Sequence, residues 1–500
     1  MSDTNRVAIR AVKEATFGVV PATPDLQELC ITGLPGLAFT PETTVSEKIR
    51  SDRQIDDLVL VGGEAAGDVN SELAFDVHDL LLEGAFFNLF QTRFSRTNNQ
   101  AATQVTNVDG TDDEFDVTDE GDAPVQNDIV RAEGFTNAAN NGFHLVDTGA
   151  TNTAIPVTSS LVDETPPANG VKVKVVGRQA AASDIVATTG PNGLTSTVLD
   201  FTTLGIQAGD WIKLSGSGGT WPAANNDYVR ILTVAANALV FDIVPSGWAA
   251  NGGASATVQL YLAERLINGT TRFSYSFEEE FADHSPVTYQ YFRGMVVDGV
   301  TISAEPQAIV KINFTFSGKD AFFSDATTPA STPDQLPAVD GAGRVDGATT
   351  VTYPSVNVLN SSSNVGRIAR GGTPIAGSNF VLEATFEIAN NLRQQNAVGF
   401  LGAVNIGVGE FGVTGSLNTY FDDATLARDV VSNAETSFDI RFEDNDSHVV
   451  LVDAPRIKFS EGAPDVPSKN ADVTLALSYQ AIRHPVFNYT LAYFRFNGVQ

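Results

Sequence analysis

LAFTPETTVSEKIRSDRQIDDLVLVGGEAAGDVNSELAFDVHDLLLEGAFFNLF, residues 37–90, decides the fold, because a second version of it stands near the end of the chain. Leu37, Phe39, Thr43, Val45 and Ile49 match Phe380, Leu382, Phe386, Ile388 and Leu392 at one constant spacing. Phe75-Asp76 and Leu80 match Phe421-Asp422 and Leu426 at nearly the same one. Each version runs from alternating strand residues, through a long polar and glycine-containing loop, to a strand that ends in a helix. Self-similarity at this distance marks a repeated architecture. The chain reads as a duplicated unit.

Inside the first version, residues 46–68 turn charged and glycine-rich around Leu58-Val59-Leu60-Val61, as a long hairpin-like excursion from a sheet would. Val69, Ser71, Leu73 and Phe75 then alternate with Asn70, Glu72 and Ala74, the period of a strand. Asp76 stands where a helix N-cap is wanted, and Val77, Leu80, Leu81 and Ala85 recur at helical spacing. Upstream, residues 6–24 begin as an alternating strand and end in a Gly-Pro turn. Cys30 lies among apolar neighbours, where a buried small side chain is expected.

Five hundred residues suggest about three domains at roughly 150 residues each. With 42% hydrophobic residues and 31 Phe the chain can bury large cores. Sixty acidic residues against 30 basic ones give a net charge of −30, which opposes a phosphate-binding surface and favours solubility. One cysteine excludes an intrachain disulfide framework and a cysteine metal cluster. The N-terminus MSDTNRVAIR lacks a signal-peptide core, and no run approaches the ~18 apolar residues of a membrane span. A soluble chain made in the cytoplasm, with no membrane contact, is expected.

Between residues 96 and 263 the composition shifts to Asn, Thr, Gly, Ala and Asp, with short β-type runs between turn signals. A loose repeat runs through it. Asp128-Ile-Val-Arg, Asn140-Asn-Gly-Phe-His-Leu-Val and Val171-Lys-Val-Lys-Val-Val resemble Asp210-Trp-Ile-Lys, Asn225-Asn-Asp-Tyr-Val-Arg-Ile-Leu and Ala256-Thr-Val-Gln-Leu-Tyr-Leu. Two small β modules in tandem account for this. In the second version the helix after Asp422 is followed at once by Phe438-Asp-Ile-Arg-Phe-Glu. The matching Phe273-Ser-Tyr-Ser-Phe-Glu comes far later, so the modules interrupt the first unit after its helix. Both units close alike: Val310, Ile312, Phe314 and Phe316 alternate as Val473, Leu475, Leu477 and Tyr479 do.

The organisation expected is a first unit of residues 1–95 and 268–325, interrupted by β modules at 100–180 and 181–265. A Pro-rich linker at 326–365, with Pro329, Pro333 and Pro337, leads to a second unit at 366–500. The fold class is mainly β: two tandem β-sandwich or barrel domains with one short helix each, plus the small inserted modules.

No chemistry declares itself. His78, His144, His284, His448 and His484 form no HExxH pairing. The GxGxxG at Gly407, Gly409 and Gly412 leads into Val413-Thr414-Gly415 rather than opening a helix, so turns or a glycine-softened strand are expected. DGTDDEFDVTDEGD, residues 109–122, fails as a calcium loop because Asn127 falls where the bidentate Glu belongs, which leaves a solvated acidic loop. Asp422-Asp423 reads as a helix N-cap and Glu278-Glu279-Glu280 as an exposed strand end. No catalytic, cofactor-binding or metal residue is assigned, and the chain is not expected to be an enzyme.

Lys-Glu-Ala-Thr-Phe-Gly-x-x-Pro-Ala-Thr-Pro at 13–24, Arg-Ser-Asp-Arg-Gln at 50–54 and Gly-Asp-Val-Asn-x-Glu-Leu at 67–73 resemble the tail tube, or major tail, proteins of long non-contractile bacteriophage tails. Residues 298–316, centred on Ile-Ser-Ala-Glu-Pro, and residues 391–415, beginning Asn-Leu-Arg-x-Gln, are similar to the same family. The resemblance covers most of 1–94, 268–325 and 379–496 and leaves out the tandem modules. It implies a β-sandwich with a flanking helix, whose sheet joins its neighbours in a ring around an inner β-barrel. Stacking loops fall at 45–68 and 390–410. Family members with one unit form hexamers, so two units imply a homotrimer with a pseudo-hexameric ring.

The function implied is a virion structural protein whose stacked rings form a negatively charged conduit for DNA ejection, assembled in the host cytoplasm. Its partners would be itself, a tape-measure protein in the lumen, and tail terminator and distal tail proteins, with DNA passing unbound. On this reading the Thr/Asn/Gly-rich modules would project outward as decoration, for weak adhesion to cell-surface glycans or for shielding; an adhesin of β domains recognising host glycans is the alternative reading.

Overall fold

Alternating apolar and polar residues make this chain predominantly β. The computed structural model describes residues 3, 6–33, 36–99, 102–251, 256–325, 344–345, 349–351, 357–375 and 379–499. Pro329, Pro333 and Pro337 lie outside the described residues.

A first set of elements comprises β1 (Val7–Lys13), β2 (Ala38–Val45), β3 (Leu58–Glu72), α1 (Asp79–Phe86), β4 (Glu264–Ile267), β5 (Tyr275–Phe281), β6 (Thr288–Ala304), β7 (Lys311–Gly318) and β8 (Asp320–Asp325). A second comprises β9 (Val365–Arg370), β10 (Val381–Ala389), β11 (Gly412–Tyr420), α2 (Thr425–Ser432), β12 (Thr436–Glu443), β13 (Val449–Asp465), β14 (Thr474–Ala481) and β15 (Ala492–Phe496).

The two sets pair in the same order. β1 pairs β5, β5 pairs β6, and the long β6 takes β8 along its first half and β7 along its second; β7 pairs β3, which pairs β2. Likewise β9 pairs β12 and β12 pairs β13, which takes β15 and then β14; β14 pairs β11, which pairs β10. Both long strands bulge at matching places, between Val297 and Gly299 and between Phe459 and Glu461. A bulge bends the strand and adds twist, which lets one strand serve two sheets.

The sets join through the second half of β6, which pairs β10 antiparallel from Gly299↔Ala389 to Ala304↔Ala384. Eight strands therefore run on as one sheet in the order β2-β3-β7-β6-β10-β11-β14-β13. On its inner face Val300 meets Ile388 and Ile302 meets Phe386, and one apolar core carries Phe314, Phe316, Leu417, Leu477 and Tyr479 together with Leu81, Leu82 and Leu426 of the helices. Burying each such side chain contributes about 1.5–3 kcal/mol.

Four local expectations change. β3 starts at Leu58, so Leu58-Val59-Leu60-Val61 opens the strand instead of interrupting a loop. Pairing with β3 fixes the register of β2 differently from the sequence match. Ala38 lies opposite Ala66, and Glu387 lies opposite Thr414, the residue that holds Ala66's place in the second set. Phe39 thus corresponds to Ile388, not to Leu382. The slip is even in length, so inward and outward residues are preserved. Asp76 does not cap α1: it sits at φ 62, and its carboxylate binds Lys172 and Arg495, while His78 holds the cap position. Cys30 is exposed, because the alternation that buries Leu29 turns its neighbour outward.

Beside a separate three-stranded sheet of Val105–Asp109, Glu114–Val117 and Ala154–Pro156, the inserted stretch forms two related halves of one larger sheet, joined where Lys172–Gln179 pairs Thr257–Leu262. Their likeness extends to ion pairs: Arg178 binds Asp128 and Arg265 binds Asp210, each at 2.7 Å, and each aspartate also caps the turn before it. The insert does not simply project. Trp211, Tyr228 and Tyr261 pack with Val449, Leu451, Phe494 and Phe496 of the second set, and β4 pairs β15.

Candidate assembly surface

The outer face of the eight-stranded sheet is polar, and its charge is lopsided. Residues in register along it supply Glu42, Glu64, Asp68 and Glu72 from the first set and Glu383, Glu387, Glu461 and Asp465 from the second; Lys311 and Lys458 are the basic residues at these face positions among the described residues, and Lys458 lies 3.6 Å from Glu435. The rest are mainly Thr, Ser and Asn, which pair across strands: Thr385 Oγ1 and Ser416 Oγ are 2.9 Å apart, and Asn418 Nδ2 donates to Glu383 Oε2 at 2.6 Å. A row of carboxylates on one sheet face raises a negative potential in front of it.

Both ends of this sheet are open strand edges among the described residues: β2 pairs β3 on one side only, and the second half of β13 pairs β14 on one side only. The Gly36 amide donates to Asp68 on β3, so by alternation Leu37 and Phe39 point their amides at the free edge. At the other end Gly462 and Pro464 face outward. Prolines at outward positions, Pro464 on β13 and Pro41 on β2, remove edge donors, a device that discourages indiscriminate pairing.

Two arms leave the sheet at equivalent places, residues 46–57 between β2 and β3 and residues 390–411 between β10 and β11. The first is held by its own ions: Arg50 binds Asp52 and Asp56 at 2.7 and 2.8 Å, and Lys48 binds Asp56 at 2.9 Å. It leaves Ile49 wholly exposed, with Ile55, Leu58 and Leu60 largely so. The second arm turns back on the first set. Asn390 Nδ2 donates to the carbonyls of Ala85 and Val297, both at 3.0 Å, the Leu392 amide donates to Asp298 Oδ1 at 2.9 Å, and Ile406 is buried beside Phe87 and Val296. Within this arm Gly407 closes the small hairpin of Arg393–Gln395 and Asn405–Gly407, and Gly412 opens β11.

Charged groups inside the fold are joints. Glu278 is fully buried within β5, not at an exposed end, and binds Arg10 at 3.0 Å, Arg344 at 2.9 Å and the Tyr291 hydroxyl at 2.7 Å. Asp453 on β13 is also fully buried and takes Arg230 of the insert at 3.0 Å. Burial pushes its carboxyl up despite that partner, and burial likewise lifts Asp439, opposite it on β12, to about 6. In the 109–122 stretch, Asp109 accepts the amides of Thr111 and Asp112 and Asp119 that of Gly121, so these carboxylates close turns. His448 bridges Asp444 at 2.9 Å and Glu133 of the insert at 3.1 Å and stacks on Phe75. Burial opposes its charge, but the two carboxylates raise its pKa. The Asp-x-Asp-x-His spacing at 444–448 was the sequence signal for this cluster.

Among the described residues no helix is long and apolar enough to cross a membrane. No curated protein matches the chain. The family model described as phage tail tube protein matches residues 4–481, a span that takes in the whole first set with the insert inside it and the second set through β14. A sheet with two open edges, matched over nearly its full length, fits a subunit made to meet copies of itself. The chain belongs to the phage tail tube protein family and is a structural component of the virion tail.

Proposed function

We propose that three copies of this chain close into a ring of six sandwich-like halves, and that the rings stack into the tube of a long non-contractile tail. The halves are residues 1–95 with 268–325 and residues 366–500, carrying the β modules 100–180 and 181–265 and joined through 326–365. The eight-stranded sheet supplies one third of an inner barrel, with its acidic face toward the lumen. The observation that carries this reading is that face: eight carboxylates against two lysines, Lys311 and Lys458, across a sheet open at both edges.

Closing the ring removes the edges, which otherwise template unwanted pairing. An anionic wall repels phosphates, so DNA slides through without being held. The exposed arm tips, with Ile49 on one and Val398 and Phe400 on the other, supply contacts between rings. A tape-measure protein fills the lumen during assembly in the host cytoplasm, and terminator and distal tail proteins close the two ends. Electron microscopy of the purified chain, concentrated or seeded with tail tips, tests this. Stacked rings with a central channel support it; a chain that stays monomeric throughout contradicts it.

A further inference from the structure

The junction between the two strand sets is a template for the junction between two copies. Inside the chain, the second half of β6 pairs β10. The free counterparts of those strands are the second half of β13 and the start of β2. The bulges at Asp298 and Ser460 and the pairing of β7 and β14 superimpose the long strands so that Gly299, Val300, Thr301 and Ile302 correspond to Glu461, Gly462, Ala463 and Pro464. The pairing of β3 and β11 places Thr40, Phe39, Ala38 and Leu37 in the positions of Ala389, Ile388, Glu387 and Phe386.

We infer that β13 of one copy pairs β2 of the next antiparallel, in the register Glu461↔Thr40, Gly462↔Phe39, Ala463↔Ala38 and Pro464↔Leu37. This rests on the tube reading above and names the partner surface within it. The chemistry of the two edges agrees. Leu37 and Phe39 carry the outward amides, as Phe386 and Ile388 do across the internal junction, and they fall on the core face in both cases. Pro464 stands where Ile302 donates, and Pro41 where the Asn390 amide donates to Asp298. The seam between copies therefore lacks two backbone donors that the internal junction has, and it is the weaker of the two.

The arm completes the fit. Across the internal junction, arm 390–411 covers the end of α1, and Ala85 is wholly buried beneath Asn390. The corresponding residue of α2 is Val431, which is 88% exposed. The apolar base of arm 46–57, including Leu58 and Leu60, is also exposed among the described residues. In the seam the two meet: the first arm of one copy lies across α2 of its neighbour.

Ala38 and Ala463 would form a pair without mutual backbone hydrogen bonds, whose Cα atoms approach to about 4.5 Å, within disulfide reach. Within one chain they stand at opposite ends of eight strands, on the order of 30 Å apart. In a Cys30→Ser background, Ala38→Cys and Ala463→Cys chains are mixed, assembled and oxidised. A reducible dimer from the mixture, and none from either variant alone, is expected. Ala38→Cys mixed with Ser478→Cys, one strand further in, should give no dimer. Tubes visible by microscopy without the 38–463 cross-link overturn this seam and leave the tube reading standing. A mixture that forms neither tubes nor dimers overturns both.

Discussion

Arg230 is the sharpest test of how the insert is fastened. Its guanidinium is 4% exposed and donates to Asp453 at 3.0 and 3.2 Å and to Asp242 at 2.7 Å. Asp242 is partly solvated and contributes little. Asp453 is fully buried; without Arg230 the neutral Tyr489 hydroxyl at 3.3 Å and the Trp211 indole remain beside it, and neither supplies a compensating charge. Arg230→Met keeps most of the apolar stem and leaves that carboxylate uncompensated, a loss of about 3–5 kcal/mol. Arg230→Met with Asp453→Asn removes both charges and should recover most of it. All three tryptophans, Trp211, Trp221 and Trp248, lie in the insert, so urea unfolding followed by tryptophan fluorescence reports this region. Burial pushes the Asp453 carboxyl up, and removing its cation pushes it further. An acid whose folded pKa is raised stabilises the fold at low pH and loses that stabilisation as pH rises through it. The penalty should therefore shrink from pH 7 to pH 5. A single variant within about 1 kcal/mol of wild type at pH 7, or a double variant no better than the single, refutes the reasoning.

Asp439, lifted to about 6 mainly by burial, obeys the same sign: stability present near pH 4 is lost as pH rises toward 6, and Asp439→Asn should flatten that part of a melting-temperature profile. Gly415→Ala sets a Cβ 2.2 Å from the Thr385 carbonyl and 2.3 Å from the Tyr479 hydroxyl; a loss of about 3 kcal/mol is expected in chemical denaturation. Asn390→Ala removes two donors to buried carbonyls, costing about 2 kcal/mol and exposing residues 390–411 to limited proteolysis. Glu387→Lys with Glu64→Lys should leave tubes intact by microscopy but slow DNA release from particles, measured by dye access to the emerging DNA.

What the sequence disclosed was periodic. Phe314, Phe316, Leu477 and Tyr479 alternate through strands buried on one face, so their matching spacing carried the internal likeness. The register of β2 was not readable, because Gly62, Gly63 and Gly67 leave β3 without a side-chain pattern and the β2–β3 ladder carries a register shift after Glu42. Glu278 and Asp453 look like ordinary surface acids until folding brings up Arg10 and Arg230 from distant stretches. Asp76 resembles an N-cap in sequence, yet Arg495 and Lys172 claim its carboxylate. The assembly face was legible only as a net charge of −30; which acids share one face depends on pairings that no local pattern contains. Matches at residues 13–24, 50–54 and 67–73, which fall at the end of β1 and the turn after it, in the first arm and in β3, pointed to the family.

One averaged end-on view of the assembled particle tests the central claim most directly. A ring with threefold symmetry, six similar inner lobes and an open channel is the result expected from two sandwich-like halves per chain. A ring of six whole chains, a different symmetry, or a closed centre would contradict it.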